Sequence, residues 1–423
     1  MTTTAVPVPG TTLPAVRCRV GVVGLGYAGL PQAVAFAEIG HPVVGVDVDP
    51  DVVARLTAGR SPVDTVADDA VQRVGCRLLP STDAGGLRDC SVVLVCVPTP
   101  LGPTGLPDLD PLRAATTTVA SGLTPGQLIV IESTVPPGVT DSVVKPILER
   151  SGLRTGVHFN LAFAPERVDP GNPQFNPTNT PKVVGGYTSI CALRAEQFYR
   201  GILPAVHVTS GLREAEAAKM LENTYRQVNL ALIHEFAAYC GVQGIDVAAT
   251  IDAAATKPFG FQPFYPGAGV GGHCIPVDPM YLAHSAREAG VPLRLVELAQ
   301  EINERRPHQV VDQCARLLVA TGREVRGASV LVLGLTYKPD VADVRNTPAV
   351  PLVRALLDAG SVVTIHDPLV TELVVDGRRW PVVGDLEAAV RAADLVLLAQ
   401  RHACYDPALL RRAAVLHVAG CRS

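Results

Sequence analysis

The apolar run Val20–Val23, followed at once by Gly24-Leu25-Gly26-Tyr27-Ala28-Gly29, admits few folds. Gly24 allows a tight turn out of a strand, Gly26 lets a pyrophosphate approach the backbone, and Gly29 allows a helix to pack close to that strand. The helix expected over residues 28–39 then presents its N-terminus to the phosphates. Gly40 ends it, Val43–Val46 reads as the next strand, and Asp47 closes that strand 23 residues after Gly24. A carboxylate there accepts hydrogen bonds from ribose hydroxyls. No Arg or Lys follows before Arg55, so a 2′-phosphate would meet Asp47 and Asp49 unpaired. The cofactor expected is NAD rather than NADP, touched by Gly24, Gly26, Tyr27, Ala28, Gly29 and Asp47. A glycine turn without a ligand is the plainer alternative; the strand, helix and acid together speak against it.

The rest of the chain extends this pattern. Ser91–Val97 and Leu128–Ile131 are nearly continuous apolar runs, as central parallel strands are. Cys96-Val97-Pro98-Thr99-Pro100 and Glu132-Ser133-Thr134-Val135-Pro136-Pro137 follow such strands, where an open α/β sheet forms its binding crevice. Pro98, Thr99 and Thr134 are therefore further cofactor candidates, with plain loop punctuation as the alternative. Residues 210–240 read as one long helix, and helical patterns recur at 247–255 and 293–320. From residue 328 strands and helices alternate again. The expected fold is α/β, with two doubly wound Rossmann-like domains joined by a central helical region that contains a long spine helix. Its expected parts are a disordered tail at 1–17, an NAD-binding domain at 18–205, a central helical dimerisation region at 206–320 and a second α/β domain at 321–423. That last domain lacks Gly-x-Gly-x-x-Gly. Its first strand runs into Gly334-Leu335-Thr336-Tyr337-Lys338, which suggests a different nucleotide presented to Lys338.

Composition excludes several function classes. A net charge of −4 with scattered Lys and Arg gives no basic field for nucleic acid. No apolar run reaches the ~18–20 residues of a membrane span, and residues 1–17 lack the pattern of a signal peptide. Ten cysteines without a Cys-x-x-Cys pair suggest a reduced, cytoplasmic, soluble protein. No second His or Cys stands at metal spacing from His273, so no metal is expected.

Gly269-Val270-Gly271-Gly272-His273-Cys274-Ile275-Pro276-Val277-Asp278-Pro279 carries the chemical signal. Glycines let a substrate come close to the backbone, and a cysteine held there is a candidate covalent nucleophile, effective as the thiolate. A nucleophilic cysteine together with a nicotinamide points to oxidation of an alcohol past the aldehyde, through a thioester, to an acid. Lys219 and Asn223, four residues apart on the long helix, share a face and suit a developing alkoxide; a solvated helix face is the alternative. Glu166 suits activation of water, or simply pairs with Arg167. Asp278 suits a catalytic water or the thiol proton, or simply caps the helix that follows.

Together these residues resemble the UDP-glucose/GDP-mannose dehydrogenase family of nucleotide-sugar 6-dehydrogenases, from about Arg19 to about Ala399. The motifs are Gly-Leu-Gly-Tyr-Ala-Gly-Leu-Pro at 24–31, Cys-Val-Pro-Thr-Pro at 96–100, Glu-Ser-Thr-Val-Pro-Pro-Gly at 132–138, and Pro-Glu-Arg-Val-Asp-Pro-Gly-Asn at 165–172. They continue with Glu-Ala-Ala-Lys-Met-Leu-Glu-Asn-Thr-Tyr at 216–225, Gly-Gly-His-Cys-Ile-Pro-Val-Asp-Pro at 271–279 and Gly-Leu-Thr-Tyr-Lys-Pro-Asp at 334–340. The resemblance implies a C-terminal nucleotide-sugar domain, a homodimer or larger homo-oligomer, and two oxidations at the sugar's C6 using two NAD⁺ in turn. It implies Cys274 as nucleophile, Lys219 and Asn223 at the alkoxide, and Asp278, Thr134 and Glu166 for water and protons. It also implies Arg345 at the cofactor, and Glu166, Arg167, Lys219, Asn223, Phe264, Tyr265, Gly267, Gly269, Gly271 and Lys338 around the substrate.

The motifs at 165–172 and 272–279 look like the branch that oxidises UDP-N-acetylhexosamines, with UDP-glucose or dTDP-glucose as alternatives. Departures from the family pattern are Asn346-Thr347 in place of Glu-Ser, Ala268 where Pro is common, and a C-terminus in which only Arg422 offers an arginine contact. Two rival readings remain at this level. A β-hydroxyacid dehydrogenase would use one NAD per turnover, and a non-catalytic nucleotide binder would need none of the four residues Lys219, Asn223, Cys274 and Asp278.

Overall fold

A computed structural model describes residues 17–103, 105–167, 174–411 and 414–418. The expected tail (Arg17 apart), the second half of the 165–172 motif and Arg422 lie outside the described residues. The chain divides into two compact units, residues 1–99 with 109–216, and residues 100–108 with 217–423.

In the first unit, eight strands, the central ones buried and apolar on both faces, assemble into one sheet. These are β1 (Val20–Val23), β2 (Val43–Val46), β3 (Leu78–Ser81), β4 (Val92–Val95), β5 (Leu128–Ile131), β6 (Asn160–Phe163), β7 (Lys182–Gly186) and β8 (Val206–Val208). Their order is β3-β2-β1-β4-β5-β6-β7-β8, with Val20 level with both Val43 and Val92. The order reverses between β1 and β4, and crevices for ligands open beyond the carboxyl ends of the strands at such a point. Alternation of side chains splits the core in two. Val20, Val22, Leu94 and Val130 pack with the helix Gly29–Glu38 on one side. Val23, Val95 and Ile131 pack on the other. β7 runs antiparallel to β6, an arrangement not anticipated from the sequence.

The second unit contains most of the long helix Leu212–Gln243, the helices Val247–Ala255, Asp278–Glu288 and Arg294–Ala320, and a parallel sheet. That sheet is formed by β9 (Ser329–Leu333), β10 (Val362–His366), β13 (Leu395–Leu398) and β14 (Val415–His417), in the order β10-β9-β13-β14. β11 (Glu372–Val375) and β12 (Arg378–Pro381) form a separate hairpin. It turns at Asp376-Gly377, whose φ angles of 49° and 75° are those a tight two-residue hairpin turn needs. Among the described residues no helix is long and apolar enough to cross a membrane. The nine described cysteines are all free, and Cys96 and Cys240 are small core residues, as expected.

Candidate active site

In the first unit, each glycine of the fingerprint has a separate physical reason. Gly24 has φ +92°, and a Cβ on it would lie 2.7 Å from the carbonyl oxygen of Cys96. A Cβ on Gly29 would lie 1.9 Å from the carbonyl oxygen of Gly24, so helix and turn touch backbone to backbone. At Gly26 a Cβ would meet nothing within 4 Å, which leaves an open cradle of the kind a pyrophosphate needs. No side chain caps the helix at Ala28, so its first N–H groups suit phosphate oxygens. Asp47 Oδ2 accepts from the Leu25 N–H at 2.7 Å and Oδ1 from the Asp49 N–H at 3.0 Å. Carboxylate lone pairs remain for ribose hydroxyls. The residues present therefore fit a dinucleotide. The neighbouring loops are knitted together: Ser133 Oγ donates to the Val97 carbonyl at 2.8 Å, and Thr99 Oγ1 donates to the Thr134 carbonyl at 2.8 Å. Pro98, Thr99 and Thr134 thus sit at the carboxyl ends of β4 and β5.

Glu166 belongs to a polar network that the sequence did not announce. Gln32, on the helix that follows the glycine turn, donates to Glu166 Oε2 at 2.6 Å and also to Glu132. Lys182 Nζ lies 3.0 Å from Glu132 Oε2 and 3.9 Å from Glu166 Oε2, and Tyr199 donates to Glu132. Burial raises the Glu132 carboxyl above its ordinary range; Lys182 opposes this and Glu166 adds to it. Burial works against the Lys182 ammonium, but Glu132 and Glu166 still hold it above its usual value. Arg167 donates its backbone N–H to Glu166 Oε1 at 2.8 Å, and its guanidinium donates to the Pro181 carbonyl at 2.7 Å.

The second unit brings the expected chemical residues into one cluster. Lys219 and Asn223 project from the long helix and are buried, as is Asp278 at the start of the helix Asp278–Glu288. Asn223 Nδ2 donates to Asp278 Oδ2 at 2.5 Å. Asp278 is not the helix cap: Val277 occupies that position, and the carboxylate turns toward Asn223. Burial pushes the Asp278 carboxyl up to about 6, against the pull of Lys219 and of the Asn223 hydrogen bond. A carboxyl titrating there is matched to proton transfer near neutral pH. The Cys274 carbonyl accepts from the N–H groups of Val277 and Asp278, at 3.1 and 2.8 Å, which fixes the cysteine in the turn before that helix. Met220, Val277 and Tyr281 pack between the two helices, and Tyr281 donates to the Pro100 carbonyl at 2.6 Å.

Cys274 is exposed to solvent as a residue, yet enough protein surrounds its sulfur for desolvation to be the largest influence on the thiol. Desolvation raises the thiol and Asp278 adds to the rise, while Lys219, Arg226 and Arg345 oppose it. Arg226 was not singled out from the sequence, although it stands seven residues after Lys219 on the same helical face. Arg345 also binds the Asp343 carboxylate through Nε and Nη2, at 2.9 and 2.5 Å. Burial and Arg345 lower the His273 imidazole, against the pull of Asp343.

The glycine-rich segment 264–272 is gripped along its length. Phe264 stacks edge-on against Tyr225, with ring centroids 5.8 Å apart, and Tyr265 donates to Asp252. A Cβ on Gly269 would lie 3.0 Å from Pro348, and one on Gly271 would lie 2.7 Å from both Pro348 and Tyr337. The close approach at Gly271 is thus already required by these two side chains, apart from any substrate. Asn346, one of the departures from the family pattern, adopts φ +48°, a region asparagine tolerates, and donates to the Gly272 carbonyl at 3.3 Å.

The second sheet repeats the nucleotide-binding turn in a closed form. Gly334 has φ +81°, and the Leu335 N–H donates to Asp367 Oδ2 at 2.6 Å, the counterpart of Leu25 and Asp47. Here, however, the same oxygen lies 3.1 Å from His402 Nε2, and both side chains are buried. Thr336 stands where the open Gly26 stands in the first unit, and donates to the Lys338 carbonyl at 2.8 Å. This turn does not offer a dinucleotide the first turn's cradle, and Lys338 follows it directly.

The sequence matches the UDP-glucose/GDP-mannose dehydrogenase family in three successive parts: its NAD binding domain over residues 18–203, its central domain over 213–305 and its UDP binding domain over 331–419. The chain belongs to the UDP-glucose/GDP-mannose dehydrogenase family. As a member, it is an NAD-dependent nucleotide-sugar dehydrogenase. It is 39 % identical to a UDP-N-acetyl-D-glucosamine 6-dehydrogenase of Pseudomonas aeruginosa, over 84 % of this chain and 83 % of that one. It is similar to the solved UDP-D-ManNAc dehydrogenase of Pyrococcus horikoshii, with a TM-score of 0.82 and 35 % identity over 91 % of this chain and 90 % of that one. A UDP-glucose dehydrogenase structure from Pyrobaculum islandicum also gives a TM-score of 0.82, at 29 % identity over 95 % and 92 % of the two chains.

Proposed function

We propose that this dehydrogenase oxidises the C6 hydroxymethyl of a UDP-N-acetylhexosamine to the uronic acid, with Cys274 as the covalent nucleophile. The observation that carries this reading is the cluster of Cys274 with Lys219, Asn223 and Asp278, in which Asn223 is bonded to an Asp278 that titrates at about 6. NAD, when bound, supplies the hydride acceptor once for each oxidation. The C6 hydroxyl gives its proton to water while Lys219 and Asn223 stabilise the alkoxide, and loss of a hydride from C6 to that acceptor leaves the aldehyde. The Cys274 sulfur adds to that carbon as its thiol proton passes to Asp278, giving the thiohemiacetal oxyanion, which Lys219 and Asn223 stabilise as they did the alkoxide. The second oxidation turns this into a thioester. Water then attacks the thioester carbon, the acid leaves and the thiol is restored. Glu166 and Thr134 are assigned to the water and its protons, residues 24–29 with Asp47 and Arg345 to the cofactor, and the segment 264–271 with Lys338 to the sugar nucleotide. The boundaries near residues 205 and 320 belong to the same proposal.

The acetamido sugar is supported by the names of the Pseudomonas and Pyrococcus relatives; UDP-glucose and dTDP-glucose are less well supported. A panel of UDP- and dTDP-sugars assayed for NADH release decides among them. Two NADH per uronic acid, fastest with a UDP-N-acetylhexosamine, is the expected result. One NADH per product would point instead to a single-step hydroxyacid dehydrogenase.

The working form is proposed to be a homodimer or a larger homo-oligomer, and a cytoplasmic location accords with the free cysteines. On the long helix Leu221, Tyr225, Leu232, Tyr239 and Val242 fall on a heptad spacing, and all are exposed. A second copy of the same helix is the occupant that such a stripe suits. Light scattering should give a mass of at least two chains, and Leu232→Glu should shift it toward one. A single-chain mass for the unaltered protein would sink this reading.

A further inference from the structure

Within the second unit, one group of buried polar residues is left over by the chemistry above. It centres on Gly267, in the middle of the segment assigned to the sugar nucleotide. The Gly267 N–H donates to His234 Nε2 at 3.1 Å, and its carbonyl accepts from Arg306 Nε at 2.9 Å. One residue is therefore held by both of its backbone polar groups, from two different helices. On either side, Ala268 is packed into the core with Val310 and Cys314 of the helix Arg294–Ala320, and Tyr265 is tied to Asp252.

The arrangement fixes the protonation of the histidine. Since Nε2 accepts from Gly267, the ring proton belongs on Nδ1, which lies 2.9 Å from Asn303 Oδ1 and donates to it. Asn303 in turn donates to the Gln227 carbonyl at 3.2 Å. Burial, assisted by the neighbouring Arg306 charge, lowers the imidazole to about 3 against the Asn303 hydrogen bond. The acceptor for Gly267 thus persists across the physiological range.

Arg306 is the less expected member. It is 2 % exposed, burial lowers it to about 10, and its Nη1 is buried without a hydrogen-bond partner. No carboxylate is paired with it among the described residues. A guanidinium buried for a single bond to a backbone carbonyl costs more than it returns in stability. An apolar side chain of similar length would fill the same space at lower cost. What such a side chain could not do is hold the Gly267 carbonyl in one orientation.

We propose that Arg306 and His234 are positioning residues that set the conformation of the substrate segment at Gly267, so that its backbone is preorganised for the nucleotide diphosphate of the sugar substrate. This rests on the assignment of residues 264–271 to substrate made above. Neither side chain is asked to touch the substrate or the reacting carbon. Preorganisation lowers the entropy lost when a segment closes on its ligand, so removing it weakens binding more than chemistry.

The test uses the full-length protein and the variants Arg306→Met, Arg306→Lys, His234→Leu and His234→Gln. UDP affinity is measured by calorimetry, and KM and kcat are measured with UDP-N-acetylglucosamine and NAD. Arg306→Met and His234→Leu should weaken UDP binding and raise the KM for the sugar nucleotide by about tenfold to a hundredfold. The KM for NAD should stay within twofold and kcat within about threefold. Arg306→Lys and His234→Gln, which can keep one bond to Gly267, should recover most of the loss. Unchanged UDP affinity in both apolar variants would overturn the proposal. So would a parallel rise in the KM for NAD, or failure of both conservative variants to recover binding while remaining folded. If an apolar variant does not fold, its conservative partner decides: UDP affinity closer to the parent's than to a hundredfold loss supports the clamp, and a full loss opposes it. Calorimetry with UDP does not require turnover. A parent enzyme inert on every sugar would therefore count against the proposed reaction while leaving the clamp to be judged on binding.

Discussion

Cys274→Ala is expected to cut uronic acid formation by about 10⁴-fold or more, the scale seen when a covalent nucleophile is removed, while UDP-sugar and NAD affinity change little. The argument runs through the second oxidation. A free aldehyde offers no way to make a thioester, so the covalent hold on C6 is what couples the two steps. The residue is exposed, so the fold should tolerate the smaller side chain to within about 0.5 kcal/mol. A supporting measurement is the rate of alkylation of Cys274 against pH. Desolvation of the sulfur by the surrounding protein, with Asp278 beside it, holds the thiol above its ordinary value although the residue as a whole is exposed, so the thiolate fraction, and with it the rate, should keep climbing on the alkaline side of pH 8.5. Normal acid production by Cys274→Ala, with product mass and NADH both measured, would end the thioester route.

Asp278→Asn is expected to have two opposite effects. Loss of the proton acceptor should lower kcat by about 10²- to 10⁴-fold. Stability should move the other way. The folded carboxyl titrates at about 6, above the ~3.9 of an unfolded aspartate. Its protonated form therefore favours folding below about pH 4, and that contribution is lost as the pH rises through 6. At pH 8 the buried charge costs the native state about 3 kcal/mol, and an isosteric amide that still accepts from Asn223 removes this cost. The variant should melt several degrees higher than the parent at pH 8, and the two should converge near pH 4. Equal melting temperatures at pH 8 would show that the carboxylate is not strained by burial. The trade of stability for function is common at sites that hold a charge in a packed environment.

The central strands of both sheets were legible because they are buried on both faces and so read as unbroken apolar runs. The expected Val20–Val23, Leu128–Ile131 and Ser329–Leu333 match the observed elements. The long helix, expected over residues 210–240, runs from Leu212 to Gln243. The β11–β12 hairpin was missed, although Asp376-Gly377 after the apolar run Leu373-Val374-Val375 carried its signal. The reversed direction of β7 was not readable, because the residue pattern of so short a strand looks the same in either orientation. Lys219 and Asn223 share a helical face, as their spacing predicts, but that face is buried rather than solvated, and the same spacing extended by one turn leads to Arg226.

The order of apolar runs, glycines and acids by itself determined the two nucleotide-type folds and the dinucleotide turn. These depend on backbone geometry and side-chain type, which neighbouring residues specify. Packing alone decided the charge states. Glu132 meets Lys182 across 50 residues of chain, His234 and Arg306 converge on Gly267 from separate helices, and Asp278 is lifted toward neutrality by burial. A residue's proton affinity follows from how much water is excluded around it and which charges are brought near it, and neither exists until the chain has folded.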